Sequence, residues 1–278
     1  MQIFELFDYP FFVNALIGVV LISISAAIIG TYIISRRLVA ISGGVTHACF
    51  GGLGLGYFLG INPVVMAAVF AVASSAGVEW LSARCNVRED SAIAVVWSLG
   101  MAVGVLFVFL TPGYVPELNS FLFGNILTIS TSDLLLFGGY TAMLVAFFAL
   151  HYRHVIASAF DRDFAATRGL PVKFTSYAMT VMVALCIVLT IRLVGIMMLM
   201  SVFSLPMMTA EIFSQRYSRM TLISVAIALF AGIGGLMLGT IVDVPCSAII
   251  VIILAVTFVV ARVFKAIFRN VRHSSVQA

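Results

Sequence analysis

The chain is dominated by apolar runs, each about as long as a helix that crosses a lipid bilayer. A hydrocarbon core about 30 Å thick takes about 20 helical residues at ~1.5 Å each. Charged residues, Pro and Gly divide the sequence into nine such runs, near residues 11–35, 39–60, 62–83, 91–111, 133–151, 172–191, 193–213, 220–241 and 245–264. Strands of a membrane barrel would alternate with polar residues, and these runs do not. The pattern predicts an all-α, polytopic integral membrane protein with about nine transmembrane helices, forming a single transmembrane domain over residues 1–278.

Composition excludes two broad classes of protein. Hydrophobic residues make up 63% of the chain and charged residues only 9%, whereas about 25% of a soluble domain is charged. A net charge of +4 on so few charged residues cannot build the basic face that nucleic-acid binding needs. The chain is therefore expected to be neither an ordinary soluble protein nor a nucleic-acid binder. The four cysteines are scattered without a CxxC pair, which argues against a disulfide scaffold or a zinc module.

The loops differ sharply in positive charge, which predicts an orientation. Lys and Arg are retained on the cytoplasmic side of short loops. When the loops are assigned to alternate sides, 14 of the 15 basic residues fall on one side and only Arg192 falls on the other. We therefore expect an external N-terminus and a cytoplasmic C-terminus, in the cell inner (plasma) membrane.

The predicted external loop at about 112–132 is more than a connector. Pro112, Gly113 and Pro116 interrupt it too often for a membrane span, yet the sequence FLFGNIL within it is strongly apolar. Irregular backbone at membrane depth is tolerated where protein covers it. The loop is predicted to be a half-buried or re-entrant segment.

A second loop, on the predicted cytoplasmic side at about 155–171, has an amphipathic pattern. Ile156, Phe160 and Phe164 recur at helical spacing, and Gly169 and Pro171 follow as stop signals. The pattern predicts a short helix outside the bilayer that offers a docking surface to another protein. An ordinary solvated connector is the alternative.

Ionisable residues inside predicted spans are costly and are candidates for function. Glu79 and Glu211 lie near cytoplasmic helix ends, where snorkelling and loose pairing with Arg84 and Arg216 would explain them. His47 lies deeper, and its helix face carries small residues that suit either close helix packing or a narrow ion path with one imidazole ligand. These small residues are Ala40, Gly43, Gly44, Gly51 and Gly54.

Other motifs indicate packing and no catalysis. Four GxxxG pairs, such as Gly52 with Gly56 and Gly100 with Gly104, are typical of close helix contacts in lipid. The methionines near residue 200 favour adaptable core packing over a soft-metal site. The chain has no Gly-Lys step of a Walker loop and no catalytic constellation, so it is not expected to be an enzyme or to hydrolyse ATP unaided.

Six blocks of sequence, in order along nearly the whole chain, carry a family resemblance. The chain resembles the membrane permease family of ATP-binding-cassette importers for manganese, zinc and iron. The blocks are RRLVAISGGVTHACFGGLGLG (36–56), REDSAIAVVWS (88–98), SFLFGNILTISTSDL (120–134), FDRDFAATRGLPV (160–172), RLVGIMMLMSVFSLPMMTA (192–210) and DVPCSAIIV (243–251).

The resemblance implies a permease that forms a homodimer, docks separate ATPase subunits on its cytoplasmic face and receives metal from an external metal-binding protein. Phe160, Asp161, Phe164 and Gly169 fall in the block that matches the family's ATPase-contacting region. His47 falls at the position of the family's metal-ligating histidine. No permanently bound cofactor is implied, because the metal ion is the cargo.

The chain departs from the family at one position that bears on the metal. The family's second-helix block reads GDALSHA, and here Gly43 stands where that block has Asp. Manganese favours carboxylate ligands, whereas zinc and iron(II) accept imidazole, so the change favours zinc or iron(II). A permease for siderophores or cobalamin is the nearest alternative. A secondary metal transporter is less favoured, because Glu79 and Glu211 are peripheral.

Overall fold

The computed structural model describes residues 8–36, 38–85, 87–112 and 124–274, and within them the chain is helical without strands. A 3₁₀ turn at Ile126–Thr128 precedes the fifth helix. The helices are α1 (Pro10–Ser35), α2 (Val39–Leu59), α3 (Pro63–Cys85), α4 (Glu89–Leu110), α5 (Thr131–Phe160), α6 (Arg162–Thr167), α7 (Val172–Phe213), α8 (Tyr217–Val242) and α9 (Cys246–Ser274). The prediction of an all-α polytopic membrane protein is confirmed.

Eight of the described helices, all except α6, are long and apolar enough to cross a membrane. Their ends agree with the predicted runs to within a few residues, apart from α5 and α9, which extend further. Local signals account for several ends. Gly60 takes a left-handed conformation (φ 68°) to end α2, and the Asn62 side chain accepts a hydrogen bond from Val64 N to begin α3.

The long helix α7 contains two of the nine predicted spans. A straight helix of 42 residues would measure about 63 Å, twice the hydrocarbon thickness. Gly195 breaks it with φ 78° and ψ 171°. The last turns of α1 contact residues on both sides of this break, because Arg36 donates to Ser176 Oγ and Thr31 donates to Met207 Sδ. The chain therefore reverses at Gly195, and residues 172–194 and 196–213 form two arms.

Helix ends gather at two opposite ends of the protein, as the alternation of loops requires. At one end Asn14 donates to Ile129 O, and Arg192 pairs with Asp133 at 2.8 Å. At the other end Arg36 lies with the start of α4 and of α6. Arg192, the only basic residue predicted on the external side, thus lies at the opposite end of the protein from Arg36. The assignment of the two ends to the outside and the cytoplasm stays a prediction from the charge asymmetry.

In the segment predicted to be external and half-buried, the described residues from Gly124 onward lie partly against the core. Ile126 and Ile129 are buried in the core. Gly124 has a positive φ of 57°, and a side chain there would collide with the backbone of Val194 and Gly195. The segment therefore packs against the reversal in α7. Residues 113–123 of the predicted segment lie outside the described residues.

The segment predicted to be cytoplasmic is divided into two helices where one was expected. The last turns of α5 continue past a kink at His151 to Phe160, and α6 begins separately at Arg162. Asp161 between them is extended (φ −149°, ψ 102°), and its carboxylate accepts a hydrogen bond from Phe164 N. The periodicity of Phe160 and Phe164 did not reveal this break, because Asp161 acts as the N-cap of a new helix.

Cys85 provides a direct test of the orientation. It is exposed at the end of α3, whereas the other three cysteines are buried. If the basic end is cytoplasmic, a membrane-impermeant maleimide should label Cys85 in inside-out vesicles and leave it unlabelled in right-side-out vesicles. In a Cys85→Ser background, an Asn62→Cys variant should show the reverse pattern. Labelling of Cys85 from the outside would refute the orientation.

Candidate functional site

His47 lies in the middle of α2 and is half-buried. Its ring stacks on the Trp97 ring of α4, with centroids 4.6 Å apart and planes 6° from parallel. Its Nδ1 atom is buried and has no hydrogen-bond partner among the described residues. Cys49, two residues along the chain, is fully buried elsewhere in the core, as expected for a side chain on another face. This ring nitrogen is therefore a polar atom whose hydrogen-bonding capacity no described residue satisfies.

The glycine stripe beside His47 is used for helix packing. A Cβ atom on Gly51 would lie 2.8 Å from the carbonyl oxygen of Gly100, and one on Gly54 would overlap the backbone of Gly104. Gly44 meets the side chain of Ile93 in the same way. Of the two interpretations left open by the sequence, these three glycines support close packing, because α4 fills the space an ion would need.

A second glycine face of α2 lies against α3. A Cβ atom on Gly56 would lie 2.8 Å from Pro63 Cα, and one on Gly52 would lie 2.8 Å from Ala67 Cα. The Gly52/Gly56 and Gly100/Gly104 pairs therefore serve contacts within one chain. The helices α2, α3 and α4 form a compact group, called here the three-helix unit.

Gly43 differs from the rest of the stripe because it faces the first residues after the break in α7. An ideal Cβ at Gly43 would lie 2.7 Å from Met200 Cε and 3.9 Å from the ring of Trp97. A thioether thus occupies the space where the family motif has a carboxylate. Within the described residues no group of three or more His, Cys, Asp or Glu side chains could hold a metal ion. Of the Asp and the His in the family motif, this chain keeps the imidazole of His47.

The four residues of the predicted docking segment lie together at the junction of α5 and α6. The Phe160 and Phe164 side chains are 62% and 56% exposed. Asp161 is exposed and caps α6, and Gly169 (φ 72°) follows its last turn. The segment presents two aromatic rings on a short, capped scaffold, as a docking surface for another protein would.

The expected loose pairing of Glu79 with Arg84 is wrong. Glu79, 13% exposed, pairs with Arg162 at 2.5 Å and accepts hydrogen bonds from Ser176 Oγ at 2.6 Å and Thr180 Oγ1 at 2.8 Å. Arg162 lies 83 residues along the chain, so sequence spacing gave no signal for this contact. Glu79 is fixed in a polar cluster between helices and does not snorkel.

A second acidic residue, Glu89, joins this cluster at the start of α4. Its carboxylate lies 3.4 Å from the Arg36 guanidinium and 4.0 Å from that of Arg162. Burial disfavours the charge on Arg36, but Tyr32 and the two carboxylates outweigh this effect and raise the pKa of Arg36 above its ordinary value. The Arg36 guanidinium therefore stays charged.

A cavity of about 730 Å³ opens beside these charges at the same end of the protein. Arg36 and Glu89 line one part of it, and Phe160 and Arg162 line another. Glu211 near the end of α7, Gln215 in the loop that follows and Met220 near the start of α8 also line it. The cavity therefore lies among the ends of α1, α5 and α7 and the starts of α4, α6 and α8.

Comparison with known proteins identifies similar sequences over nearly the full length. Residues 8–265 match the profile described as the ABC 3 transport family. An uncharacterized membrane protein of Synechocystis is 32% identical over 93% of this chain and 92% of its own. The manganese transport system membrane protein MntC of Listeria monocytogenes is 27% identical over 93% and 92% of the two chains.

Solved structures extend the similarity to the fold. A chain in the structure titled "PsaBC from Streptococcus pneumoniae in complex with Fab" superposes with a TM-score of 0.81 and 25% identity, covering 94% of this chain and 95% of that one. A chain from an inward-facing, putative metal-chelate type ABC transporter superposes with a TM-score of 0.70 at 16% identity, covering 92% and 85%. The second likeness concerns the fold alone.

The close contact between α2 and α4 predicts a loss of stability on a small substitution. Gly54→Ala places a methyl group into the Gly104 backbone and should cost about 1–3 kcal/mol of unfolding free energy by overpacking. Gly139→Ala in α5 is the matched control, because nothing lies within 4 Å of its Cβ position. Thermal unfolding of the purified protein in detergent should show a lower Tm for Gly54→Ala only. Equal Tm values for both variants would contradict the packing.

Proposed function

The chain belongs to the ABC 3 transport family, and from that premise we propose that it is the transmembrane permease subunit of an ATP-driven importer for a divalent transition metal. The observation that carries the proposal is the similarity, over more than nine-tenths of the chain, to proteins named for manganese transport. The eight long apolar helices among the described residues, with α7 divided into two arms at Gly195, agree with this role. The ion would arrive on an external metal-binding protein and leave into the cytoplasm.

A separate ATPase would supply the energy. The sequence lacks the Gly-Lys step of a nucleotide-binding loop. The exposed rings of Phe160 and Phe164, with Asp161 and Gly169 holding their short scaffold, provide the docking surface for that ATPase. Two copies of this chain would pair around one path and each dock one ATPase.

His47 is the proposed transient ligand for the passing ion. Its buried Nδ1 has no partner among the described residues, and a neutral imidazole is a good ligand for zinc and iron(II). A single imidazole from each copy would hold an ion more loosely than a closed site with four ligands, which allows release.

The residue at position 43 favours zinc or iron(II) over manganese. Gly43 supplies no carboxylate oxygen, the ligand that manganese prefers, and the Met200 side chain fills the space beside it. The names of the relatives point to manganese, so this chain would differ from them in the metal it prefers.

Replacement of the imidazole tests its role. His47→Ala should lower uptake of radioactive zinc or iron(II) at least about tenfold in metal-starved cells, because the ion loses its ligand. Membrane insertion and association with the ATPase should be unchanged. Trp97→Phe, which keeps an aromatic ring beside the imidazole, is the control and should retain most of the uptake. Wild-type uptake in His47→Ala would show that the ion is handled elsewhere.

Restoration of the family carboxylate tests the metal preference. Gly43→Asp combined with Met200→Ala, which makes room for the new side chain, should shift uptake competition toward manganese. Met200→Ala alone controls for the space created. An unchanged order of competition among the three metals would contradict the assigned role of position 43.

The docking surface is tested by placing a charge on it. Phe164→Asp should weaken binding of the partner ATPase at least about tenfold, because the ATPase would no longer bury an aromatic ring at this position. A charged control at Phe109 would place Asp in lipid, so the control compares two alanine variants. Phe164→Ala should also weaken ATPase binding, whereas Phe109→Ala, at the opposite end of the protein, should not. Undiminished ATPase binding by both Phe164 variants would show that the segment is a simple connector.

A further inference from the structure

Arg162, the first residue of α6, touches three other helices. Its guanidinium pairs with Glu79 of α3 and Glu89 of α4, and it donates a hydrogen bond to Ser176 of α7. Two residues further along α6, the ring of Phe164 is exposed. One side chain therefore links the proposed docking helix to the transmembrane helices.

The link to Glu79 is firm because the carboxylate is fixed from several sides. Ser176 and Thr180 donate hydrogen bonds to its two oxygens, and Arg162 donates to one of them. The side chains of Glu79 and Arg162 are 13% and 35% exposed, and loss of Arg162 would leave the half-buried carboxylate without its charged partner. Glu79 is thus a fixed anchor point on α3.

Arg162 pairs with residues of α3 and α4, and these are the two helices that pack against the glycines of α2. Backbone meets backbone where Gly52 and Gly56 contact α3 and where Gly51 and Gly54 contact α4. At these glycines no side chain of α2 separates the backbones, and the His47–Trp97 stack fills the neighbouring contact with α4. A displacement of α3 and α4 therefore carries α2, and His47 with it.

The cavity of about 730 Å³ leaves open space beside the start of α4. Glu89 of α4, Arg162 of α6 and Glu211 near the end of α7 line it. Arg162 makes its charged contacts with Glu79 and Glu89 of the three-helix unit. The start of α4 can therefore shift relative to the end of α7 while its link to α6 is kept.

We propose that Arg162 is the positioning residue that couples α6 to the three-helix unit, so that movement of α6 by a docked ATPase moves α2 and His47. This inference rests on the proposed function, because it assumes that α6 receives the ATPase. Glu79 and Glu89 anchor Arg162 to the three-helix unit. None of these three residues contacts the ion.

Transport efficiency tests the coupling. Glu79→Gln and Arg162→Gln should each lower the number of metal ions imported per ATP hydrolysed at least about fivefold in proteoliposomes, while ATPase binding is kept. The double variant should be no worse than either single variant, because both break the same link. Arg153→Gln, an exposed arginine on the preceding helix, should behave as wild type. Full efficiency in both single variants, or losses that add in the double variant, would overturn the proposal.

A measurement on the permease alone separates this inference from the proposed function. Spin labels on Ala166 of α6 and Asp90 of α4, in a Cys85→Ser background diluted with unlabelled protein, report the distance between the two helices. Glu79→Gln should at least double the width of the distance distribution, and Arg153→Gln should leave it unchanged. A narrow distribution in Glu79→Gln would refute the link even if transport occurs. A wild-type protein that imports no metal would refute the proposed function, while the spin-label result would still decide the link.

Discussion

Close backbone contact between α2 and its two neighbours is the constraint on which the rest of the structure depends. In lipid there is no hydrophobic drive to bring helices together, so association relies on van der Waals packing and on small residues that let backbones approach. Glycines on two faces of α2 meet α3 and α4 in this way. The contact fixes the position of His47 against Trp97 and leaves Gly43 as the part of the stripe that faces α7.

Charge is confined to one end of this packed group, and there it is organised. Arg36 and Arg162 alternate with Glu79 and Glu89 around the ends of α1, α3 and α4 and the start of α6. The apolar interior provides the close helix packing, and the proposed docking surface lies at the polar end. A permease driven by a separate ATPase needs both, because force must pass from a docking surface to the helices that line the ion path.

Much of the fold was predictable because membrane spans are set by length and local charge. The runs, most of their ends and the reversal near Gly195 follow from the sequence alone. The pairing of Glu79 with Arg162 was not predictable, since 83 residues separate them and Arg84 is nearer in sequence. The break at Asp161 was hidden by the apolar periodicity on either side of it. At the candidate site, His47 could be singled out by its depth, but the packing of Gly44 and Met200 depends on which helices meet.

The central claim is that ATP hydrolysis drives a free divalent ion through this chain. The most direct measurement is accumulation of zinc inside sealed proteoliposomes that contain the permease, its ATPase and an external metal-binding protein, followed with a trapped zinc indicator. The account predicts accumulation that requires ATP and is not replaced by transport of a siderophore-bound or cobalamin-bound metal. Absence of ATP-dependent accumulation of zinc, iron(II) and manganese alike, or accumulation of the chelated forms alone, would contradict it.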